Sequence, residues 1–201
     1  MRRAALVALA AGALAAPATA GADFVRGSIK IDVRDGAGKP RQAEVTVRGV
    51  GGEAKVARTG EVYVADGLLD GDYTVAVDGG GAQTVRVAGR LDRGVVFVIG
   101  GKRPQVIALG RDDAACDAID GAVVEAVAFA RGGGLGAGRL DVRGRQGKLV
   151  CSAIIAGGAA TLRLLPGDYD VRARLVGGGS AGERYRLVRD QTPRPLALRA
   201  R

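Results

Sequence analysis

One eight-residue segment occurs twice in the sequence, and this repeat constrains the fold more than any other feature. The letters LLDGDYTV at residues 68–75 return as LLPGDYDV at residues 164–171, with six of eight positions identical. At the same offset of 96 residues, Ile29, Ile31 and Val33 align with Glu125, Val127 and Phe129. At an offset of 95 residues, Val45 and Val47 align with Leu140 and Val142. The repeat predicts two tandem copies of one domain.

Short β-branched segments alternate with Gly- and Asp-rich turns along the chain. Residues 29–34 alternate apolar and charged side chains, which predicts a strand with one buried face and one face in water. Residues 95–99 are apolar throughout, which predicts a strand covered on both faces. Strands at this spacing predict an all-β fold, with two tandem immunoglobulin-like (prealbumin-type) β-sandwiches at residues 21–110 and 111–201.

Residues 112–131 fit two structures. Asp112 as an N-cap, followed by apolar residues at helical spacing, is compatible with an Ala-rich helix. The repeat instead makes residues 123–130 the first strand of the second copy, and we favour the strand, with a short helical turn near residues 114–119. The boundary between the copies is then expected near residues 110–116.

The segment shared by both copies has the composition of a tight turn. In Leu165-Pro166-Gly167, proline supplies the fixed φ of a type II turn and glycine the positive φ that follows. The tyrosine after the turn starts a strand, where it can pack inward while its hydroxyl bonds to nearby backbone. The residues assigned to this structural turn are Leu69, Gly71, Tyr73, Leu165, Pro166, Gly167 and Tyr169.

This turn resembles the one before the fifth strand of transthyretin-like, prealbumin-type sandwich domains. That group includes the carboxypeptidase regulatory-like domains and the B-type repeats of bacterial collagen adhesins. Residues 27–40 are similar to the first strand of the family and its G-x-P hairpin, whereas the second copy has no proline there. The resemblance implies the sandwich fold, and by analogy a separate catalytic or transport partner.

The first twenty residues have the pattern of a secretory signal peptide. Two arginines precede an apolar run over residues 4–16, and Ala-Thr-Ala at residues 18–20 predicts cleavage before Gly21. The apolar run is too short for a membrane span, and no later segment is long and apolar enough for one. We therefore expect a periplasmic or secreted protein with no transmembrane segment.

Cys116 and Cys151 are the two cysteines of the sequence. An even count in an oxidising compartment predicts one disulfide bond between them. Two buried free thiols are the alternative.

The predicted mature chain is basic. Loss of Arg2 and Arg3 lowers the Lys and Arg count from 30 to 28, against 21 Asp and Glu, which leaves a net charge of +7. The basic residues are expected to be scattered along the strands instead of clustered, and nucleic acid is not an expected partner of an exported protein. Anionic polysaccharide or lipid headgroups are the expected electrostatic partners.

The residue inventory argues against catalysis. The chain contains no His, so the usual general base near neutral pH and His-based triads or metal sites are excluded. We expect no enzyme, no cofactor and no metal. The glycine-rich residues 131–138 contain a formal G-x-G-x-x-A match, but a strand-like segment follows instead of a helix, which predicts a hairpin loop.

Only two aromatic residues are expected to be free for stacking on sugar rings, namely Tyr63 and Tyr185, because Phe97 and Phe129 are assigned to the core. The interpretation is an exported, non-catalytic structural or interaction module of the cell envelope, with unknown envelope proteins as partners. The alternative is a binding protein for an anionic glycan or lipid surface.

Overall fold

The computed structural model describes residues 26–89, 92–100, 104–110 and 112–201. The predicted signal peptide over residues 1–20 and its predicted cleavage site before Gly21 lie outside these residues. The described residues form strands, turns and loops and contain no helix. The predicted all-β fold is therefore confirmed.

Nine described strands between residues 27 and 107 form two facing sheets. One sheet has the order β4-β5-β1-β8-β9 and the other β3-β2-β6-β7, and together they are called the first sandwich. The strands are β1 (Gly27–Arg34), β2 (Val45–Gly49), β3 (Gly52–Ala54), β4 (Val56–Thr59), β5 (Val62–Leu68), β6 (Gly71–Val77), β7 (Gly81–Val87), β8 (Asp92–Val98) and β9 (Gln105–Ile107).

Seven described strands between residues 122 and 199 form the second sandwich. Its sheets have the orders β13-β10-β16 and β12-β11-β14-β15. The strands are β10 (Ala122–Phe129), β11 (Gly138–Gly144), β12 (Leu149–Ile155), β13 (Ala159–Leu164), β14 (Gly167–Leu175), β15 (Ser180–Leu187) and β16 (Leu196–Arg199).

The two sandwiches pair their strands in the same way. β1 is antiparallel to β5 and parallel to β8, just as β10 is antiparallel to β13 and parallel to β16. Val47 lies opposite Val75 in the first sandwich, and Val142 lies opposite Val171 in the second. The domain limits and the origin of the two halves by duplication stay predictions.

The predicted alignment of the first strands is wrong by one residue. The inward positions of β10 are Val124, Ala126 and Ala128, each 1% exposed or less. The predicted alignment would instead put Glu125 in the core, where an unpaired carboxylate is costly. Glu125 is exposed in the structure.

Residues 112–131 contain a strand and no helix. Residues 122–129 form a strand, so the strand that we favoured over the Ala-rich helix is confirmed. The short helical turn predicted near residues 114–119 is wrong, because Ala115 forms a bridge to Ser152 and Asp117 forms one to Arg163.

The two shared turns hold a tyrosine hydroxyl against the backbone. The hydroxyl of Tyr73 donates to the carbonyl oxygen of Leu69 at 3.0 Å, and that of Tyr169 donates to Leu165 at 2.7 Å. Tyr73 is buried in the core, whereas Tyr169 is only half-buried. The tyrosine hydrogen bond is therefore less exposed to solvent in the first sandwich than in the second.

The predicted type II turn at Pro166 and Gly167 is wrong. Gly167 does not have a positive φ, because it begins β14 and pairs in extended form with Leu187. In the first sandwich the equivalent Gly71 has a φ of +157°, and a Cβ there would also lie 2.5 Å from a methyl group of the exposed Val50.

The glycine-rich residues 131–138 begin with a tight chain reversal, in which Phe129 forms an antiparallel bridge to Leu135, but the loop as a whole does not join two paired strands as a hairpin would. The strands on either side, β10 and β11, belong to opposite sheets of the second sandwich, so the loop crosses between the sheets.

Each sandwich has its own apolar core, and two aromatic assignments are corrected there. Tyr185 is 2% exposed and donates its hydroxyl to the carbonyl oxygen of Arg194 at 2.9 Å, so it is not free for stacking. Phe129 faces away from the core, where the guanidinium of Arg199 lies 4.9 Å from its ring centre. Phe97 is in the core as predicted.

Candidate functional site: the junction between the sandwiches

Residues 95–98 of β8 are buried on both faces, as the unbroken apolar sequence of residues 95–99 predicts. Val95 and Phe97 face the core of the first sandwich. Val96 and Val98 face the other way and pack in a separate cluster with Ile154 of the second sandwich. Ala137 is the fourth buried member of this junction cluster. Three partly buried residues pack against it: Ile107, Leu109 and Val176.

Neighbouring β1 brings two charged side chains into the same junction. Asp32 and Arg34 are 0% and 1% exposed, so the prediction that this face of β1 lies in water is wrong. The second sandwich covers it. The guanidinium of Arg34 donates to both carboxylate oxygens of Asp32, at 2.6 and 2.9 Å.

Hydrogen bonds from this ion pair cross to the second sandwich. The backbone N–H of Gly157 donates to Asp32 at 2.7 Å, and Arg34 donates to the carbonyl oxygen of Leu135 at 3.3 Å. A further bond from Arg34 reaches the carbonyl oxygen of Gly38 at 3.2 Å. The buried charges therefore have partners on both sides of the junction, which buried ions require.

Two glycines let the sandwiches approach closely. A Cβ on Gly94 would lie 2.9 Å from both the Cβ and the carbonyl oxygen of Ile154. Gly157 has a φ of +64°, and a Cβ there would come within 2.7 Å of a methyl group of Val62. Larger side chains at either position would push the two sandwiches apart.

Partly exposed ion pairs border the junction. Arg93 of β8 donates to Asp117 of the second sandwich at 2.9 Å. Lys30 lies 2.6 Å from Asp92. Burial alone would raise the pKa of Asp92, but hydrogen bonds from Lys30 and Ser28 outweigh it and hold that pKa below its usual value.

The predicted disulfide between Cys116 and Cys151 is confirmed. It fastens the segment before β10 to β12. In the chain-entropy model, a loop of 35 residues closed in this way stabilises the fold by about 4 kcal/mol.

A polar network lies beside the disulfide. Arg139 donates to both oxygens of Asp113, at 2.9 and 2.8 Å, and to Asp141 at 2.9 Å. The bond from Arg139, with one from the backbone N–H of Gly110, lowers the pKa of Asp113. Burial opposes ionisation of Asp141, but hydrogen bonds from Arg139 and Ser152 lower its pKa overall.

A cleft of about 700 Å³ opens between β7 and the segment that enters the second sandwich. Gln83 and Arg86 line one side, and Asp113 and Asp117 line the other. Among the described residues no group of three or more His, Cys, Asp or Glu side chains is placed to hold a metal ion. Nor does the described part of the chain contain a helix that could cross a membrane.

No family model and no curated protein matches the sequence. Among solved structures, the Bacillus anthracis TIE protein is 14% identical with a TM-score of 0.34, over 88% of this chain and 34% of that chain. A major pilin subunit of Bacillus cereus is 8% identical with a TM-score of 0.33, over 87% and 99% of the two chains. A streptococcal ancillary pilin is 12% identical with a TM-score of 0.30, over 90% and 64%.

This chain thus spans about a third of the length of the first of these proteins, at 34%. All three TM-scores lie below 0.5, so these likenesses do not decide the family or the function. The transthyretin-like resemblance of the turn stays a prediction.

The ion pair at the junction is the feature that sequence patterns missed. Asp32 and Arg34 alternate with apolar residues, and this pattern is the same for a strand that faces water and for one that faces a second domain. Only the neighbouring apolar strand over residues 95–99 hinted that the sheet is covered on both sides.

Proposed function

We propose that this protein is an exported, non-catalytic structural module of the cell envelope, periplasmic or secreted, that engages one or more envelope proteins. The observation that carries the proposal is the buried pair of Asp32 and Arg34, which is hydrogen-bonded across the junction. A protein that spaces or supports partners needs a fixed relation between its parts, and this pair supplies one.

The energetics of the pair support a role in orientation. A fully buried ion pair adds little net stability over apolar residues of similar size, but breaking it is strongly destabilising. Its donors and acceptors are satisfied only when Gly157 and Leu135 lie in one position relative to β1. The pair therefore favours one arrangement of the two sandwiches over others that an apolar contact alone would tolerate.

The electrostatics of the carboxylates support a non-catalytic role. Asp92, Asp113, Asp141 and Asp170 all have a lowered pKa, because each accepts hydrogen bonds from a basic side chain. A general acid or base working near neutral pH needs a carboxyl pKa that is raised. These carboxylates are instead ionised partners in salt bridges.

In-cell crosslinking of the tagged full-length protein in its native host tests the proposal, with mass spectrometry of the proteins that co-purify. We expect reproducible recovery of one or a few envelope proteins, and reduced recovery with Gly94→Ala at matched abundance. Gly134→Ala is the control, because a Cβ on Gly134 meets nothing within 4 Å. Recovery of the protein alone, or with small molecules only, would contradict the proposal.

A further inference from the structure

Arginines that are scattered in the sequence come together on one face of the second sandwich. In the sheet of β11, β14 and β15, Arg143 lies opposite Asp170, which lies opposite Arg184. The expectation that the basic residues are unclustered is therefore wrong. The outward positions of these three strands carry six arginines and three aspartates, called the arginine face: Arg139, Arg143, Arg172, Arg174, Arg184, Arg186, Asp141, Asp168 and Asp170.

Several of these guanidinium groups are available to a ligand. The side chains of Arg172 and Arg186 are 64% and 80% exposed, and each lies beside an aspartate of the face, Arg172 at 2.6 Å from Asp170 and Arg186 at 3.7 Å from Asp168. Arg174 and Arg184 are exposed too, and among the described residues neither has a carboxylate oxygen within 4.0 Å. The face thus presents positive charge that its own aspartates do not neutralise.

The corresponding face of the first sandwich is neutral. Thr74 lies opposite Thr84 at the place that Asp170 and Arg184 occupy in the second sandwich. The charged outward residues of β2, β3, β6 and β7 are two arginines and two acids: Arg48, Arg86, Glu53 and Asp72. The two sandwiches therefore carry a net positive and a net neutral version of the corresponding surface.

We propose that the arginine face binds an anionic polysaccharide that carries carboxylate or sulfate groups. Guanidinium groups pair with such anions through two parallel hydrogen bonds. Neighbouring strands lie about 4.8 Å apart and alternate residues about 6.7 Å apart, so the face offers a flat array of cations for an extended polymer. This proposal does not depend on the structural role proposed above.

The rest of the face fits a polymer better than a membrane. Its uncharged outward residues are Ser180 and Gly182, so no apolar side chain on these three strands is placed to insert into lipid. A depression of about 560 Å³ adjoins the face and is lined by Arg145, Tyr169 and Arg186, among others. A sugar ring of the polymer could bind in this depression, next to the arginines of the face.

Fluorescence anisotropy of labelled oligosaccharides tests the assignment with the full chain. The probes are a heparin dodecasaccharide, an oligogalacturonate and a neutral dextran of similar length. R172Q/R174Q/R184Q is compared with R48Q/R58Q/R86Q, which removes the same charge from exposed sites on the first sandwich. We expect the first triple variant to bind heparin at least about tenfold more weakly and the second less than about twofold.

Binding of both anionic probes should weaken between about 0.05 and 0.3 M NaCl, and dextran should not bind. Equal losses in the two triple variants would overturn the proposal, because net charge alone would then explain binding. Failure of both anionic probes to bind, or binding only to phosphatidylglycerol vesicles, would overturn it as well. Far-UV circular dichroism of each variant excludes loss of the fold as the cause.

Discussion

The carboxylate of Asp32 accepts a hydrogen bond of 2.7 Å from the backbone N–H of Gly157, which lies 125 residues further along the chain. The same carboxylate accepts two hydrogen bonds from Arg34, and both side chains are almost completely buried. One strand of the first sandwich is thereby tied to a loop of the second.

Removing Asp32 should be strongly destabilising, because the buried Arg34 would lose its two close carboxylate contacts and keep only the exposed carboxylate of Glu61 at 3.5 Å. We expect Asp32→Ala to lower the free energy of unfolding by about 3–5 kcal/mol, measured by urea denaturation. The matched control is Asp170→Ala, because Asp170 and Arg172 have the same spacing on an exposed strand at 2.6 Å. The control should lose less than about 1 kcal/mol, and equal losses would contradict burial of the first pair.

Adding one methyl group to the junction should weaken it. Gly94→Ala places a Cβ 2.9 Å from backbone and side-chain atoms of Ile154, and overpacking of this kind costs about 1–3 kcal/mol. Thermal denaturation followed by circular dichroism measures the effect. Gly134→Ala has open space around it and should leave the midpoint unchanged within error.

The two turn tyrosines should respond differently to loss of the hydroxyl. Tyr73→Phe leaves the partly buried carbonyl oxygen of Leu69 without its donor, and we expect a loss of about 1 kcal/mol. Tyr169→Phe should cost less, because that turn is half exposed and water can replace the hydroxyl. Urea midpoints of the two variants decide this, and the reverse order would show that burial does not control the bond.

Acid should destabilise the protein through the network of Arg139. The pKa values of Asp113 and Asp141 are lowered in the folded state, so their stabilising effect is present above about pH 3.9, the unfolded value, and is lost as the pH falls through the folded values. Arg139→Gln should therefore shrink the loss of stability between about pH 5 and pH 2. Urea titrations at several pH values measure this, with exposed Arg189→Gln as the control that should keep the full acid loss.

The strands and the all-β class could be predicted because each depends on local pattern. The alternation of residues 29–34 and the apolar run of residues 95–99 both mark strands that the structure contains. The disulfide could be predicted from the count of cysteines and the compartment alone. The strands, the all-β class and the disulfide can therefore be predicted without knowing which strands pack against each other.

The junction and the arginine face could not be predicted, because both depend on how distant strands are arranged. Asp32 is buried only because Gly157 and its neighbours cover β1. Arg143 and Arg184 share a face only because β14 lies between β11 and β15. The one-residue error at Glu125 has a similar cause, since the two similar turn sequences fix the offset of the later strands but not that of the first strand.

Denaturant-dependent hydrogen–deuterium exchange with mass spectrometry tests the central claim most directly, because it reports the two sandwiches separately in one molecule. If the buried pair makes them a single unit, amides of β1 and β10 in the unmodified protein should open with the same free energy and denaturant dependence. In Asp32→Ala the two should separate into distinct transitions. Two separate transitions in the unmodified protein would contradict the account.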